Sequence, residues 1–115
     1  MLKIGVDIED IKRFENKTQA FLDKVYTKSE QDYCTSCSAP QKRFAARWCA
    51  KEAVVKALSA FGINNISYID IEVFHDENHC PQIRILKNID KDLRFNLSLS
   101  HDKTKAIAFV TVEEL

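Results

Sequence analysis

The stretch RWCAKEAVVKA, residues 47–57, decides the fold because it is apolar on nearly every side when wound into a helix. At about 100° per residue, the larger apolar side chains in and beside it share one narrow arc: Phe44, Trp48, Val55 and Leu58. Small residues, mostly alanine, occupy most of the remaining circumference. A helix of this kind is buried or packed on several sides. The stretch therefore predicts a long helix at the centre of the molecule.

Four charged side chains interrupt this apolar surface in two pairs, each one helical turn apart. Arg47 stacks with Lys51, and Glu52 stacks with Lys56, giving two thin charged ridges. The simpler interpretation is an i, i+4 ion pair between Glu52 and Lys56, worth about 0.2–0.5 kcal/mol. The alternative is a site that handles charge, because the flanking alanines would leave room for a large ligand to approach.

Turn and capping residues set the limits of the helices. Pro40 suits the first turn of the long helix, which we expect to run from residues 38–40 to about Phe61. Gly62 would cap its C-terminus. Upstream, the sequence TKSE from Thr27 is a capping box that begins a shorter helix.

The N-terminal stretch LKIGVDIE, residues 2–9, alternates in the manner of a half-buried strand. We expect its apolar residues to face the core: Leu2, Ile4, Val6 and Ile8. The other face would be exposed, with a glycine that leaves space above the sheet beside two carboxylates: Gly5, Asp7 and Glu9. A helix should follow, with Ile11 and Phe14 on its inner side.

The second half of the chain predicts strands. YIDIEVF (68–74) and QIRIL (82–86) form a hairpin around a turn, and LRFNLSLSH (93–101) pairs with KAIAFVTVE (105–113). The last strand is apolar on both faces, which favours the middle of a sheet or an interface. The order of strand, three helices and four strands predicts an α+β fold, in one domain over residues 1–115.

Composition excludes several functional classes. The chain balances 17 basic against 17 acidic residues, whereas a dedicated nucleic-acid binder usually has a basic excess. No apolar run approaches the length of a membrane span, and the first residues lack the apolar region of a signal peptide. We therefore expect a cytoplasmic protein with no nucleic-acid or membrane partner.

The four cysteines give only a weak indication of a zinc site or a redox-active pair. Cys34 and Cys37 form one CxxC pair, with no second pair and no histidine at zinc-finger spacing. A thioredoxin-type pair would follow a strand, whereas this one follows a helical stretch. Structural or incidental thiols are the favoured interpretation, and Cys49 in the apolar helix is expected to be buried.

Asp7 and Glu52, considered together, suggest a metal site. Two carboxylates from different elements suit Mg²⁺ when substrate phosphate and water complete its octahedron. Lys56, one turn beyond Glu52, adds positive charge where phosphate oxygens would lie. A Mg²⁺-dependent nuclease and a non-catalytic binding domain are the alternatives. The absence of a basic excess counts against the nuclease.

Three motifs resemble those of the 4′-phosphopantetheinyl transferase family: GVDIEDIKRFE near the start, RWCAKEAVVKA in the long helix, and SLSHD near the end. The resemblance covers essentially the whole chain and is closest to the small holo-[acyl-carrier-protein] synthase type. It implies an antiparallel sheet packed on a long central helix. It also implies Mg²⁺-dependent transfer of 4′-phosphopantetheine from coenzyme A to a serine of apo-acyl carrier protein, in fatty acid biosynthesis, with release of adenosine 3′,5′-bisphosphate.

The resemblance assigns the central residues of the site. Asp7 and Glu52 match the magnesium-binding positions of the family, and Glu52 would also act on the serine through a bound water. Lys56 matches a position that assists proton movement or neutralises the pyrophosphate, so the three are the expected catalytic residues. Glu9 is expected either to support the metal ligands or to be solvated.

Other assignments concern the two substrates. Arg47 and His101 match positions near the adenine and 3′-phosphate of coenzyme A, which Lys56 would also contact. For His101 the alternative is a strand-end histidine with a backbone partner. Arg13 matches a residue that contacts the acidic carrier protein. The family forms homotrimers with the active site between neighbouring subunits, and a homotrimer is expected here.

The sequence also departs from the family pattern. The family has glycines just after the catalytic lysine, whereas this chain has ALSAF at residues 57–61. A customary Gly-x-Pro in the hairpin is replaced by His79, Cys80 and Pro81. The loops that contact coenzyme A are therefore expected to differ in shape.

Overall fold

The computed structural model describes all 115 residues as a three-stranded sheet and a two-stranded sheet arranged around one long helix. In chain order the strands and α-helices are β1 (Leu2–Asp10), α1 (Gln19–Val25), α2 (Lys28–Ser36), α3 (Pro40–Ser59), β2 (Ile71–His75), β3 (Pro81–Ile85), β4 (Leu93–His101) and β5 (Lys105–Glu114). Short 3₁₀ helices cover Ile11–Phe14 and Tyr68–Asp70. None of these helices has the length and apolar character that crossing a membrane requires. The predicted α+β fold with a long central helix is confirmed.

Helix α3 begins and ends as its sequence predicts. Pro40 occupies the first turn, where its missing N–H costs no hydrogen bond. At the other end, Gly62 adopts φ 80°, its N–H donates to Ser59 O at 2.9 Å, and Ile63 N–H donates to Leu58 O at 3.0 Å. This is the Schellman arrangement that glycine favours. The capping box at the start of α2, centred on Thr27, also forms as predicted.

The strand pairings place β5 at the centre of the larger sheet. Its order is β1-β5-β4, with both pairs antiparallel, and β2 pairs with β3 as an antiparallel hairpin. The alanines and valines of β5 that face α3 are fully buried: Ala106, Ala108, Val110 and Val112. The prediction of a central last strand from its two apolar faces is confirmed.

The predicted orientation of β1 is wrong. Its apolar side chains are 48–59% exposed on the outer face of the sheet: Leu2, Ile4, Val6 and Ile8. Gly5, Asp7 and Glu9 face α3 instead. The reason is that the backbone of Gly5 packs directly against Ala53, which places the Gly5 face of β1 against the helix. Because side chains alternate along a strand, Asp7 and Glu9 lie on that same face and the apolar side chains on the other. The small residues of α3 therefore allow the sheet to pack closely on the helix, and the space beside them is not left for a ligand.

Because of this close approach, we expect Gly5→Ala to destabilise the protein by more than ~3 kcal/mol. A Cβ on Gly5 would lie 1.8 Å from the carbonyl oxygen of Ala53, and backbone on both sides leaves neither free to move. Urea unfolding measures the loss. Gly62→Ala is the matched control, because a Cβ there meets nothing within 4 Å and costs about 1 kcal/mol of left-handed strain. Equal stability losses in the two variants would contradict the explanation.

The helix predicted after β1 is shorter and broken. Ile11 and Phe14 are buried as expected, but they belong to a 3₁₀ turn. Asn16, at φ 58°, then redirects the chain. Helix α1 begins only after Thr18, whose side chain accepts a hydrogen bond from Phe21 N–H.

A buried ion pair joins three elements. Lys51 Nζ of α3 lies 2.7 Å from Glu30 Oε1 of α2, and both side chains are 0% exposed. Three backbone oxygens, those of Val25, Tyr68 and Ile71, also lie within hydrogen-bonding distance of the ammonium, whose three N–H groups are shared among these acceptors and Glu30. Glu30 Oε2 accepts from Val73 N–H of β2 at 2.9 Å. The predicted surface ridge of Arg47 and Lys51 is therefore wrong, since both residues are buried.

Candidate active site

Strand β1 brings a carboxylate to the second charged ridge of α3. Lys56 Nζ donates to Asp7 Oδ1 at 3.2 Å and to the carbonyl oxygen of Val6 at 2.8 Å. Lys56 does not form an ion pair with Glu52, so the simpler interpretation of that ridge is wrong. Glu52 lies one turn before Lys56 on α3, so the contact of Lys56 with Asp7 joins strand β1 to the part of the helix that carries Glu52. That Asp7 and Glu52 share a cation stays a prediction.

Glu52 is held by a residue that the sequence analysis did not single out. Tyr68 donates its hydroxyl to Glu52 Oε1 at 2.6 Å. This hydrogen bond, with a smaller contribution from burial, raises the pKa of Tyr68 to about 12. Tyr68 was predicted to lie in a strand, but it belongs to the 3₁₀ turn before β2. Its aromatic ring gave no signal that distinguishes a hydrogen-bonding role from core packing.

Asp7 is unusual in having a buried oxygen without a partner. Its side chain is 12% exposed, and Oδ2 has no hydrogen bond. Burial raises the pKa of Asp7, the hydrogen bond from Lys56 opposes this, and the negative charge of Glu9 adds to the rise. A buried carboxylate oxygen left unsatisfied costs free energy unless a cation or donor meets it.

These features fit a divalent cation bound partly by the protein. No cluster of three or more His, Cys, Asp or Glu side chains forms a complete metal site. Asp7 and Glu52 would supply two carboxylate oxygens, one from each element. Mg²⁺ commonly binds through one or two carboxylates and takes its remaining oxygens from substrate phosphate and water.

Glu9 is tied into the wall of the same site. Its Oε2 accepts from Trp48 Nε1 at 3.2 Å, and its Oε1 is paired with Arg13. The indole ring of Trp48 in turn lies 4.8 Å from the ring of Tyr68, between centroids. Glu9 is therefore not a solvated surface charge, and it supports the side chains around Glu52. Arg13 keeps about half of its side chain exposed (54%).

Arg47 and His101 meet at a separate cavity of about 260 Å³. Arg47 is 2% exposed, its guanidinium lies 4.3 Å from the ring centroid of Tyr33, and its Nε has no hydrogen-bond partner. His101 is exposed at the end of β4. Both residues therefore line the same cavity, and their contacts with coenzyme A stay a prediction.

Several residues of this cavity were missed by the sequence analysis: Tyr33, Lys42, Arg43 and His75. His75 Nδ1 lies 3.4 Å from Arg47 Nη2, and the ring stacks on Tyr33 at 4.8 Å. Burial and the charge of Arg47 lower the pKa of His75, which favours the neutral ring. No pattern within the sequence joins these residues, because they come from α2, α3 and β2.

A family comparison agrees with these observations. The profile of the 4′-phosphopantetheinyl transferase superfamily matches residues 3–110, which include the strand and the helix that carry Asp7, Glu52 and Lys56. The chain belongs to this superfamily.

Individual relatives show which type of transferase in this superfamily the chain is similar to. The transferase is 40% identical over 121 residues to the holo-[acyl-carrier-protein] synthase of Halothermothrix orenii, with 96% of each chain covered. It is also 40% identical over 84 residues to the fatty acid synthase subunit alpha of Penicillium patulum, which covers 72% of this chain and 4% of that one.

A solved structure supports the same type. The holo-(acyl-carrier-protein) synthase of Bacillus anthracis in complex with CoA (3′,5′-ADP) superposes with a TM-score of 0.81 at 30% identity, covering 97% of this chain and 95% of that one. The predicted family, fold and enzyme type of the transferase are therefore confirmed.

Proposed function

We propose that this protein transfers the 4′-phosphopantetheine group of coenzyme A to a serine of apo-acyl carrier protein, with Mg²⁺ bound by Asp7 and Glu52. The observation that carries the proposal is the contact of Lys56 with Asp7, because it joins the acid of β1 to the Glu52–Lys56 ridge of α3. The relatives named above support the coenzyme A donor and the carrier protein acceptor. One catalytic domain over residues 1–115 is part of the proposal.

The reaction forms one bond and breaks one bond at phosphorus. The serine oxygen bonds to the phosphorus that carries the pantetheine arm, and the bond from that phosphorus to the bridging pyrophosphate oxygen breaks. Adenosine 3′,5′-bisphosphate leaves. When bound, Mg²⁺ would neutralise the pyrophosphate charge that grows during this step.

The residues of the chain do the positioning and move the proton. Glu52 accepts the serine proton through a water molecule, which leaves the serine oxygen free to attack. Lys56, with half of its side chain exposed (51%), presents its ammonium group to the leaving pyrophosphate. Asp7 fixes that ammonium through Oδ1 and keeps Oδ2 for the cation.

The cavity between Arg47 and His101 suits the nucleotide end of coenzyme A. The buried guanidinium has an unpartnered N–H, and Arg binds phosphate more specifically than Lys does. His101 at the rim supplies a further donor. Exposed Arg13 would contact the acidic carrier protein, and such charges mainly raise the rate of association.

The proposed activity belongs to fatty acid biosynthesis, since acyl carrier protein is its acceptor. A cytoplasmic location remains a prediction. The direct test incubates the protein with coenzyme A, Mg²⁺ and apo-carrier protein and then measures the mass of the carrier. We expect a gain of one phosphopantetheine arm, lost with EDTA or with a carrier whose acceptor serine is alanine. No gain on a carrier that another transferase modifies would overturn the proposal.

We propose further that three copies assemble through the outer face of the larger sheet. Apolar side chains of β1 and β5 lie exposed there and are directly opposite one another, as in Val6 with Phe109 and Ile8 with Ile107. An exposed apolar patch of this kind is typical of an interface. A homotrimer would bury it and place each active site between neighbouring subunits.

Phe109→Asp tests the assembly. A charge in the apolar interface is not compensated, so we expect the molar mass by light scattering to fall from three times 13.2 kDa to the monomer. Leu86→Asp is the control, because Leu86 is also exposed (51%) but lies outside this face. A trimer that persists in Phe109→Asp, or a wild type that is monomeric at micromolar concentration, would contradict the assembly.

A further inference from the structure

We propose that Tyr68 is a positioning residue that holds Glu52 in the orientation required for cation binding. This inference rests on the proposed function, since it assigns a role toward the same cation. It concerns a contact between two parts of the chain that are 16 residues apart, the hydroxyl of Tyr68 and Oε1 of Glu52.

The two carboxylates of the site are arranged alike. Each has one oxygen committed to a protein donor, Glu52 Oε1 to the Tyr68 hydroxyl and Asp7 Oδ1 to the Lys56 ammonium. Each is therefore left with one oxygen for a cation, and that of Asp7 is buried and unpartnered. Mg²⁺ requires nearly ideal octahedral geometry, so ligands that are already oriented bind it more tightly.

Tyr68 is itself fixed from three directions. Its carbonyl oxygen accepts from the buried Lys51 ammonium at 2.9 Å. Its ring packs on Trp48, and the turn that carries it is closed by Ser67 N–H donating to Asp70 Oδ2 at 3.0 Å. A donor held in this way can fix the rotamer of Glu52, which a mobile side chain could not do.

The chemistry of the donor also suits the task. A tyrosine hydroxyl is neutral, so it orients the carboxylate without the repulsion that a second ammonium would add against an incoming cation. A phenol hydroxyl also keeps its proton at neutral pH, because it ordinarily ionises only near pH ~10. Lys56 already supplies the positive charge that the pyrophosphate needs.

Tyr68→Phe is the decisive variant, because it removes the hydroxyl and keeps the ring on Trp48. The probe is Mn²⁺ added to protein saturated with coenzyme A, with free Mn²⁺ measured by electron paramagnetic resonance and ion bound by coenzyme A alone subtracted. We expect the dissociation constant to rise about tenfold. In the transfer assay, the Mg²⁺ concentration for half-maximal rate should rise similarly, with kcat at saturating Mg²⁺ within about twofold of wild type.

Tyr26→Phe is the matched control. It also removes a tyrosine hydroxyl with a protein acceptor, the carbonyl oxygen of Phe44 at 2.8 Å, but in the core. It should lower the melting temperature without changing Mn²⁺ affinity, which separates positioning from stability.

The possible outcomes are distinct. Unchanged or tighter Mn²⁺ binding in Tyr68→Phe, while Glu52→Gln abolishes binding in the same assay, overturns the role of Tyr68 and leaves the proposed function standing. A lower kcat at saturating metal with unchanged affinity also overturns it. If the wild type with coenzyme A binds no Mn²⁺ beyond coenzyme A alone, both proposals fail.

Discussion

Glu52→Gln is expected to lower kcat/KM for carrier-protein modification at least about a thousandfold, a loss of ~4 kcal/mol of transition-state stabilisation. The substitution removes one negative charge, the oxygen proposed to bind the cation and the base proposed to accept the serine proton. The amide oxygen can still accept the Tyr68 hydroxyl, which lies 2.6 Å from Glu52 Oε1. The fold should therefore survive, with the melting temperature changed by less than about 4 °C.

Glu72→Gln provides the control for this experiment. Glu72 is also a partly buried carboxylate that accepts a hydroxyl, from Thr27 at 2.7 Å, but it lies on β2 outside the proposed metal site. It should keep wild-type activity. Unfolding of Glu52→Gln would favour a structural role for this acid, and near-normal activity of a folded Glu52→Gln would remove the basis of the proposed mechanism.

Lys51→Met is expected to cost about 3–5 kcal/mol of folding free energy, the largest stability effect of a polar substitution in this protein. Substitution of Lys51 is thus expected to lower stability, whereas substitution of its neighbour Glu52 is expected to lower activity and leave the fold intact. Removing the ammonium leaves Glu30 as an uncompensated charge in the core, where its side chain is 0% exposed. The carbonyl oxygens of Val25 and Ile71 lose their donor as well. Denaturant unfolding, with activity measured on the remaining folded fraction, tests this expectation.

Two further variants locate the cause of that loss. Combining Lys51→Met with Glu30→Gln should recover part of the stability, because the buried charge disappears and the amide oxygen can still accept from Val73 N–H. Lys28→Met breaks an exposed pair with Asp32 and should change stability by about 0.5 kcal/mol or less. A single variant Lys51→Met as stable as Lys28→Met would contradict the anchoring role.

Much of the fold could be predicted because it depends on local periodicity and capping. The extent of α3, the capping box at Thr27 and the central position of β5 follow from residues near one another in the chain. The helix after β1 was predicted less well. Its apolar spacing is helical, but Asn16 in the left-handed region and the cap at Thr18 divide it into two pieces.

The sequence alone determined the family, the enzyme type and the element that carries each proposed catalytic residue, because short motifs contain that information. Tertiary structure decided which face of β1 meets the helix. Alternation shows that a strand has two different faces but not which of them packs on the helix. Here the contact of Gly5 with Ala53 turned the face with Gly5, Asp7 and Glu9 toward α3 and left the apolar face exposed. The side-chain partners of Glu52 and Lys51 were likewise decided by the tertiary structure. Tyr68 and Glu30 lie 16 and 21 residues away, and no local pattern encodes hydrogen bonds formed across such separations.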